Sequence, residues 1–267
     1  MNVIQLSVGK NSVPLTGYLH SYNSLNTQRN FRPSIVLCPG GAYRFTAEVE
    51  KDPVASYFFG IGFNVFTLEY SCEEDAKDLN PLLELSESLV KIRDHAIDFR
   101  CDPTKVAVMG FSAGGHLAAS LAILYSNPQF QAASGIRDGY NSPDALILGY
   151  PVITTGEFKH KESIDNVTGG RKDLMKLLSI EKQVREDCPP VFLWTTQTDE
   201  AVSVQNSLLL VNALVEKNIS VEFHLFPEGK HGLSMCNKEC DRNNESVSQW
   251  KRLCVNWLEK LFDFQFA

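Results

Sequence analysis

Short apolar runs alternate along the chain with longer segments in which apolar residues recur every three or four positions. A run of about four to eight apolar residues between turn residues is typical of a buried strand, and recurrence at helical spacing is typical of a helix. Strands are thus predicted at residues 2–8, 13–21, 34–38, 64–70, 105–109, 144–150, 191–195 and 220–226. Helices are predicted at residues 52–60, 81–99, 116–124, 204–217 and 245–262. This alternation predicts an α/β fold with a mostly parallel eight-stranded sheet covered by helices on both faces.

No repeat, low-complexity tract or flexible linker divides the 267 residues, so a single domain over residues 1–267 is predicted. Residues 154–187 differ from the rest because they are polar, carry mixed charge and contain two adjacent glycines. They lie between two predicted core strands, which favours small helices over the rim of the sheet. Such an insertion is either a lid or pocket wall over a site or a plain connection, and the sequence favours neither.

A serine lies where the fifth predicted strand passes into a helix, in the run Gly110-Phe111-Ser112-Ala113-Gly114. This G-x-S-x-G pattern between a strand and a helix is typical of a nucleophile elbow. The serine of such a turn commonly has a positive φ, and the glycines remove side chains that would collide. The helix N-terminus adds free N–H groups and a positive dipole end, which favour a developing oxyanion. A simple strand-to-helix turn with an incidental serine is the alternative.

A nucleophilic serine needs a base that takes its proton and a carboxylate that orients this base. His231 lies in a turn-rich loop after the last predicted strand, and Asp199 lies in a loop between a strand and a helix. Both loops follow the carboxyl ends of parallel strands, which is the edge where Ser112 is also expected. The order Ser112, Asp199, His231 along the chain therefore predicts a Ser-His-Asp triad.

Other side chains compete for the two supporting roles. Glu200 is the alternative to Asp199, which would otherwise be a helix cap or a turn residue. His160 in the polar insertion is a weaker alternative base, which could instead touch substrate. His116 follows the serine by one helical turn and is predicted to be structural, and His224 is predicted to pack within a strand.

An oxyanion in the transition state needs two N–H donors beside the attacked carbonyl. One is expected from Ala113, directly after the serine, and the other from the glycine turn that follows the strand at residues 34–38. Gly41 is the expected donor in that turn, and Gly40 lies close by. Taken alone, the two glycines fit an ordinary turn, but their expected place at the same sheet edge favours an oxyanion hole.

Composition and charge argue against several other classes of protein. The formal net charge is −7 and no basic stripe is present, which disfavours nucleic acids and anionic membranes as partners. No apolar stretch approaches the roughly 18 residues of a membrane helix. No basic and then apolar leader opens the sequence, so cytoplasmic residence is expected. The seven cysteines are scattered, which favours buried free thiols, and neither a metal nor an organic cofactor is expected.

Five stretches together resemble the α/β-hydrolase superfamily, and more narrowly its small esterase and lipase branch, which includes hormone-sensitive lipase and the acetyl-xylan-type esterases. These stretches are residues 38–43, 102–106, 110–118, 143–151 and 229–232. The resemblance covers nearly the whole chain. It implies a serine carboxylic-ester hydrolase with an acyl-enzyme on Ser112, and no cofactor.

The chain departs from the lipases of this branch in two ways. They have His-Gly-Gly-Gly where this sequence has Pro39-Gly40-Gly41-Ala42, and no counterpart of their large N-terminal cap is expected. Both departures imply a short acyl group. The resemblance thus suggests a small-molecule ester as substrate, with acetylated sugars as the leading example.

Two other functions stay open at this point. A small serine peptidase of prolyl-oligopeptidase type would share the fold, although the sequence shows no extra domain that would supply its peptide pocket. A non-catalytic ligand-binding member of the fold would usually lack one of the three residues, whereas candidates for all three are present. The oligomeric state is open as well, and a homodimer is one alternative.

Overall fold

The fold is built around one sheet. The computed structural model describes residues 1–22 and 29–265. Eight strands in this part of the chain form the sheet: β1 (Asn2–Val8), β2 (Val13–Leu19), β3 (Arg32–Cys38), β4 (Asn64–Leu68), β5 (Cys101–Phe111), β6 (Ala145–Gly149), β7 (Val191–Thr196) and β8 (Val221–Phe226). Their order is β1-β2-β4-β3-β5-β6-β7-β8. β2 runs antiparallel to β1 and β4, and the other pairings are parallel, which confirms the predicted mostly parallel sheet.

Helices cover both faces of this sheet. They are α1 (Asp52–Ile61), α2 (Asn80–Asp94), α3 (Ala96–Phe99), α4 (Ser112–Leu124), α5 (Pro128–Ser134), α6 (Lys161–Thr168), α7 (Lys172–Leu177), α8 (Gln205–Glu216) and α9 (Trp250–Phe262). Buried side chains of α2, α4 and α8 belong to the core on one face, and those of α1 and α9 to the core on the other. None of the helices described is long and apolar enough to span a membrane.

The observed helices differ from the predicted ones in three places. The helix predicted at residues 81–99 breaks at His95, where φ is −103° and ψ is 20°, into α2 and α3. The last helix, predicted from residue 245, begins as an α-helix at Trp250 after a 3₁₀ turn at Val247–Gln249. The short helix α5 was not predicted. Its signal is the N-cap Asn127, whose side chain accepts two hydrogen bonds from backbone N–H groups of the first turn.

The parallel strands bring four segments to one edge of the sheet. The carboxyl ends of β3, β5, β7 and β8 all point to this edge, because these strands run in the same direction. The segments that follow them are residues 39–51, the first turn of α4, residues 197–204 and residues 227–246. The predicted site residues lie in these four segments, as expected for an open parallel sheet.

The insertion at residues 154–187 consists of α6, α7 and a 3₁₀ turn at Ile180–Lys182, which confirms the predicted small helices. Most of its apolar side chains are buried, among them Ile164, Val167, Leu174, Leu177, Leu178 and Ile180. The backbone of the insertion is also hydrogen-bonded to the preceding segment, since the N–H of Ile180 donates to the carbonyl of Ile153. Such burial favours a fixed wall over a hinged lid.

Candidate active site

Ser112 lies at the point where β5 ends and α4 begins. Its φ is 52°, as expected for the serine of a nucleophile elbow. The turn is so tight that a Cβ atom added to Gly114 would lie 2.1 Å from the carbonyl oxygen of Cys38. A Cβ on Gly110 would lie 2.1 Å from the carbonyl oxygen of Gly114. Only glycine fits at both positions, so the backbone conformation that exposes the serine depends on them.

Ser112, His231 and Asp199 form one hydrogen-bonded chain. Ser112 Oγ lies 2.8 Å from His231 Nε2, and His231 Nδ1 lies 2.6 Å from Asp199 Oδ2. An ionised carboxylate can only accept, so Nδ1 carries the proton and Nε2 is left to accept from the serine hydroxyl. The structure thus brings together the three residues that the sequence singled out. In this tautomer the imidazole can take the hydroxyl proton.

The Asp199 carboxylate is fully buried, and both of its oxygens accept hydrogen bonds. Its side chain has 0 % exposure, whereas that of His231 is 23 % exposed. Its second oxygen, Oδ1, accepts from the backbone N–H groups of Ala201 and Val202, both at 2.9 Å. These bonds fix the plane of the carboxylate, which in turn fixes the orientation of the imidazole.

The alternatives for the two supporting roles lie elsewhere. Glu200 is exposed, and its neighbour Asp199 occupies the position beside the imidazole. His160 caps helix α6 through Ser163 and lines the same cleft as Ser112. Burial, and then the nearby His231, lower the pKa of His160. His160 therefore lies beside Ser112 but outside the hydrogen-bonded chain to Asp199.

His116 is buried and structural in its contacts, as predicted. Its Nε2 donates to the carbonyl of Leu178 at 2.9 Å, so its Nδ1 is unprotonated and accepts from the hydroxyl of Tyr43 at 2.8 Å. Burial lowers the pKa of His116 to about 4, which keeps the ring neutral near pH 7. His224 is less packed than predicted. It lies on the edge strand β8, half-buried, with Nε2 at 3.0 Å from Glu222.

The expected oxyanion donors differ in their surroundings. The N–H of Gly40 donates to Glu50 Oε2 at 2.6 Å, which argues against Gly40 as a donor to substrate. Gly41 has a φ of 124° and lines the cleft beside Ser112. Ala113 is the first residue after the serine, in the first turn of α4, where backbone N–H groups have no partner within the helix. Gly41 and Ala113 therefore remain the candidate donors.

We call residues 39–45 the oxyanion loop. Ala42 and Tyr43 each have a φ of 57°, a conformation that non-glycine residues adopt only when their surroundings hold them there. Those surroundings are side chains from other segments. The Tyr70 hydroxyl donates to the carbonyl of Pro39 at 2.6 Å, and Asn166 Nδ2 donates to the carbonyl of Ala42 at 2.8 Å. Side chains from outside the loop thus bind two of its carbonyls, and the N–H groups of Arg44 and Phe45 donate to the carbonyl of Gly41 within it.

Two buried residues of the site were not singled out from the sequence. Glu50 is 3 % exposed and Tyr150 is 2 % exposed, and the Tyr150 hydroxyl donates to Glu50 Oε1 at 2.6 Å. Burial raises the pKa of both groups. A weak signal was available for Tyr150, since it directly follows β6 at the same edge of the sheet. Glu50 gives no such signal, because an acidic residue beside a turn usually faces solvent.

The cleft above Ser112 has a volume of about 330 Å³. It is lined by Gly41, Phe45, Ser112, His160, His231 and Arg242, among others. Within residues 1–22 and 29–265, no three His, Cys, Asp or Glu side chains converge where they could bind a metal ion. All seven cysteines are free, and six of them are buried.

Comparison with known proteins places the chain in a family. The model of the BD-FAE family matches residues 19–214. Endo-1,4-beta-xylanase B of Butyrivibrio fibrisolvens is 36 % identical over 78 % of this chain and 33 % of its own length. The acetylxylan esterase of Xylanibacter ruminicola is 28 % identical over 74 % of this chain and 40 % of its own length. The chain thus spans between a third and two-fifths of the length of these curated relatives.

Solved structures resemble the chain over its whole length. A carboxylesterase from Lactobacillus plantarum has a TM-score of 0.89 at 26 % identity, covering 100 % of this chain and 99 % of its own. An acetyl ester-xyloside bifunctional hydrolase from Caldicellulosiruptor lactoaceticus has a TM-score of 0.83 at 31 % identity, covering 98 % and 96 %. The expected α/β-hydrolase fold is confirmed. The chain is a member of the BD-FAE family, within an esterase branch of the α/β-hydrolase superfamily.

Proposed function

We propose that the protein is a serine carboxylic-ester hydrolase that removes short acyl groups, with acetylated sugars as its substrate class. The observation that carries this proposal is the hydrogen-bonded chain from Ser112 Oγ through His231 to the buried Asp199. A hydroxyl in such a chain can be deprotonated as it attacks a carbonyl carbon.

The reaction proceeds in two halves. Ser112 Oγ attacks the ester carbonyl while His231 Nε2 takes its proton, and the resulting oxyanion accepts hydrogen bonds from the N–H groups of Gly41 and Ala113. His231 then gives the proton to the departing alkoxide, which leaves an acyl group on Ser112. Water enters, loses a proton to His231 and attacks the acyl carbon. The bond between this carbon and Ser112 Oγ then breaks, His231 returns the proton to Oγ, and the carboxylic acid is released. Asp199 holds the imidazole and stabilises its charged form in both halves.

The substrate class rests on the size of the cleft and on the relatives. A volume of about 330 Å³ is at the small end of the roughly 300–1,000 Å³ of ligand pockets, which suits an acetyl group better than a long acyl chain. One relative is named an acetylxylan esterase, and another an acetyl ester-xyloside hydrolase. These names support acetylated xylose units as the first substrates to test. Cytoplasmic residence and a homodimer stay predictions, as does the extent of the domain.

The proposal is tested by hydrolysis of nitrophenyl esters of increasing acyl length, followed by acetylated xylo-oligosaccharides against simple aryl acetates. We expect the highest kcat/KM with acetyl esters, and a loss on the order of 10⁶ in kcat for Ser112→Ala. Ser120→Ala is a matched control, because Ser120 is buried on the same helix and donates to the carbonyl of His116. Absence of turnover with every acyl length would refute the esterase. Equal rates on sugar and aryl acetates would remove the case for a sugar substrate.

A further inference from the structure

We propose that Glu50 is a positioning residue whose carboxylate joins the oxyanion loop to the loop that carries His231, so that donor and base keep their places around Ser112. This inference rests on the proposed esterase function. We call residues 227–236 the histidine loop. Glu50 lies in neither loop, and its role is to hold them at a fixed separation.

A continuous set of hydrogen bonds connects the two loops. The N–H of Gly40, in the oxyanion loop, donates to Glu50 Oε2 at 2.6 Å. The Tyr150 hydroxyl donates to Glu50 Oε1 at 2.6 Å and accepts from the N–H of Ser234, in the histidine loop, at 2.9 Å. One carboxylate and one phenol thus connect a backbone group of the oxyanion loop to one of the histidine loop.

The connection also touches the base itself. The rings of Tyr150 and His231 meet edge to face, with centroids 4.9 Å apart and an interplanar angle of 69°. Tyr150 has a φ of 37°, a strained value for a non-glycine residue, which persists only where the surroundings determine it. A displacement of the phenol would therefore reach both the Ser234 backbone and the face of the imidazole.

The chemistry of Glu50 favours a functional reason for its burial. Its two oxygens are held by an amide N–H and a phenol, and no Lys or Arg among the described residues forms an ion pair with it. Burying a carboxylate without a cation is costly, so an apolar residue would serve stability better. The approach to the backbone is also close, since a Cβ added to Gly40 would lie 2.7 Å from Glu50 Oε2. The carboxylate thus fits a shaped space against the oxyanion loop.

The decisive variant is Glu50→Gln, because it keeps the volume of the side chain and removes one acceptor. Gly40 and Tyr150 donate to different oxygens of Glu50, and glutamine has an oxygen at only one of these two places, so it keeps one bond and presents an NH2, which cannot accept, to the other donor. We expect kcat on nitrophenyl acetate to fall about 10-fold to 100-fold while KM changes less than about threefold, since donors that are misplaced act mainly in the transition state. The affinity for an aryl trifluoromethyl ketone, which forms an anionic adduct with a nucleophilic serine, should fall by a similar factor. The affinity for acetate should not change.

Glu84→Gln is the matched control. Glu84 is buried to the same degree, at 1 % exposure, and accepts hydrogen bonds from the N–H and the hydroxyl of Ser71, outside both loops. We expect this variant to lower Tm without changing kcat or the affinity for the ketone. Tyr150→Phe should reproduce part of the Glu50→Gln effect, because it frees the N–H of Ser234 and leaves Gly40 bound to Glu50.

Amide hydrogen exchange gives a readout that does not depend on turnover. In Glu50→Gln, exchange should rise at Gly40 or Ser234 relative to the wild-type protein, and in Tyr150→Phe it should rise at Ser234. Unchanged exchange at both amides would overturn the inference, whether or not the protein is an esterase. So would an active wild-type enzyme whose kcat is the same in Glu50→Gln. A wild-type protein that hydrolyses no ester would instead refute the proposed function and leave the exchange experiment to decide.

Discussion

The oxyanion loop and the histidine loop flank the same serine, but in the proposed reaction they contribute different groups. In the proposed reaction the oxyanion loop contributes the N–H of Gly41, and two of its carbonyls accept hydrogen bonds from side chains outside it, those of Tyr70 and Asn166. The histidine loop contributes one side chain, whose position depends mainly on the buried carboxylate of Asp199. The oxyanion function thus depends on a main-chain conformation that several contacts hold, whereas the orientation of the base depends on one buried carboxylate.

This difference predicts a large loss of kcat when Asp199 is changed, and smaller losses when single contacts of the oxyanion loop are removed. We expect Asp199→Asn to lower kcat by about 10⁴, because an amide favours the wrong tautomer of His231. Steady-state kinetics on nitrophenyl acetate would measure it. Glu200→Gln is the control, since Glu200 is exposed, and its kcat should stay near that of the wild-type protein. The reverse ranking would reassign the acid to Glu200.

On the oxyanion side, removal of one tether should have a moderate effect. Asn166→Ala deletes the 2.8 Å hydrogen bond to the carbonyl of Ala42, a residue that the loop holds at a φ of 57°. A hydrogen bond of this kind contributes about 0.5–1.5 kcal/mol, so we expect kcat to fall about threefold to tenfold. Asp165→Asn, at the half-buried neighbour on α6, should leave kcat unchanged, because Asp165 pairs with Lys161 and not with the oxyanion loop. A loss of kcat as large as that of Asp199→Asn would contradict the view that several contacts together hold the oxyanion loop.

Acid should also destabilise the protein through His116, whose Nδ1 accepts a hydrogen bond from Tyr43 of the oxyanion loop. Burial lowers the pKa of His116 to about 4, against about 6.5 in the unfolded chain. The unfolded state therefore binds more protons between these values, and the free energy of unfolding falls as the pH drops from 6.5 to 4. The loss from this group is about 3 kcal/mol.

Urea unfolding at several pH values would measure this dependence. His116→Gln should unfold with a shallower dependence on pH than the wild-type protein, although it is less stable at pH 7. His95→Gln, at an exposed histidine, is the control and should follow the wild-type curve. Parallel curves for His116→Gln and the wild-type protein would show that His116 already titrates normally in the folded state.

The smallest effect is expected at the surface, where Arg44 of the oxyanion loop pairs with Glu162 of α6 at 3.1 Å. Both side chains are exposed, at 57 % and 44 %, and such pairs contribute about 0–1 kcal/mol. Glu162→Gln should shift Tm by at most a few degrees and leave kcat on nitrophenyl acetate unchanged. A kcat loss comparable to that of Asn166→Ala would mean that this exposed pair also shapes the loop.

The same contrast explains which parts of the site were predictable from the sequence. In the proposed reaction Ser112, Asp199 and His231 act through their side chains, and each follows a recognisable strand, so position and residue type together singled them out. The bond of Gly40 to Glu50 was not predictable, because it joins a backbone N–H to a carboxylate that the pattern assigns to solvent. Asn166 was not predictable either, since it lies 124 residues away from the carbonyl it binds.

The fold was largely predictable for a similar reason. Buried parallel strands are continuous apolar runs, and the eight predicted strands overlap the eight observed ones. The break at His95 and the short helix α5 were missed. Both depend on a single residue at a helix end, and the spacing of apolar residues over a long segment does not reveal such a residue.

The crowding at Gly114 has a consequence for engineering this scaffold. A Cβ there would collide with the carbonyl oxygens of both Cys38 and Pro39, at 2.1 and 2.3 Å, so two main-chain segments touch without any side chain between them. Substitutions cannot tune this contact in small steps, as they tune a packed core. A library that aims to change substrate preference should therefore leave residues 38–41 and 110–114 untouched. Variation at Phe45, His160 and Arg242, which line the cleft, would reshape the space around the ester without moving the reacting atoms.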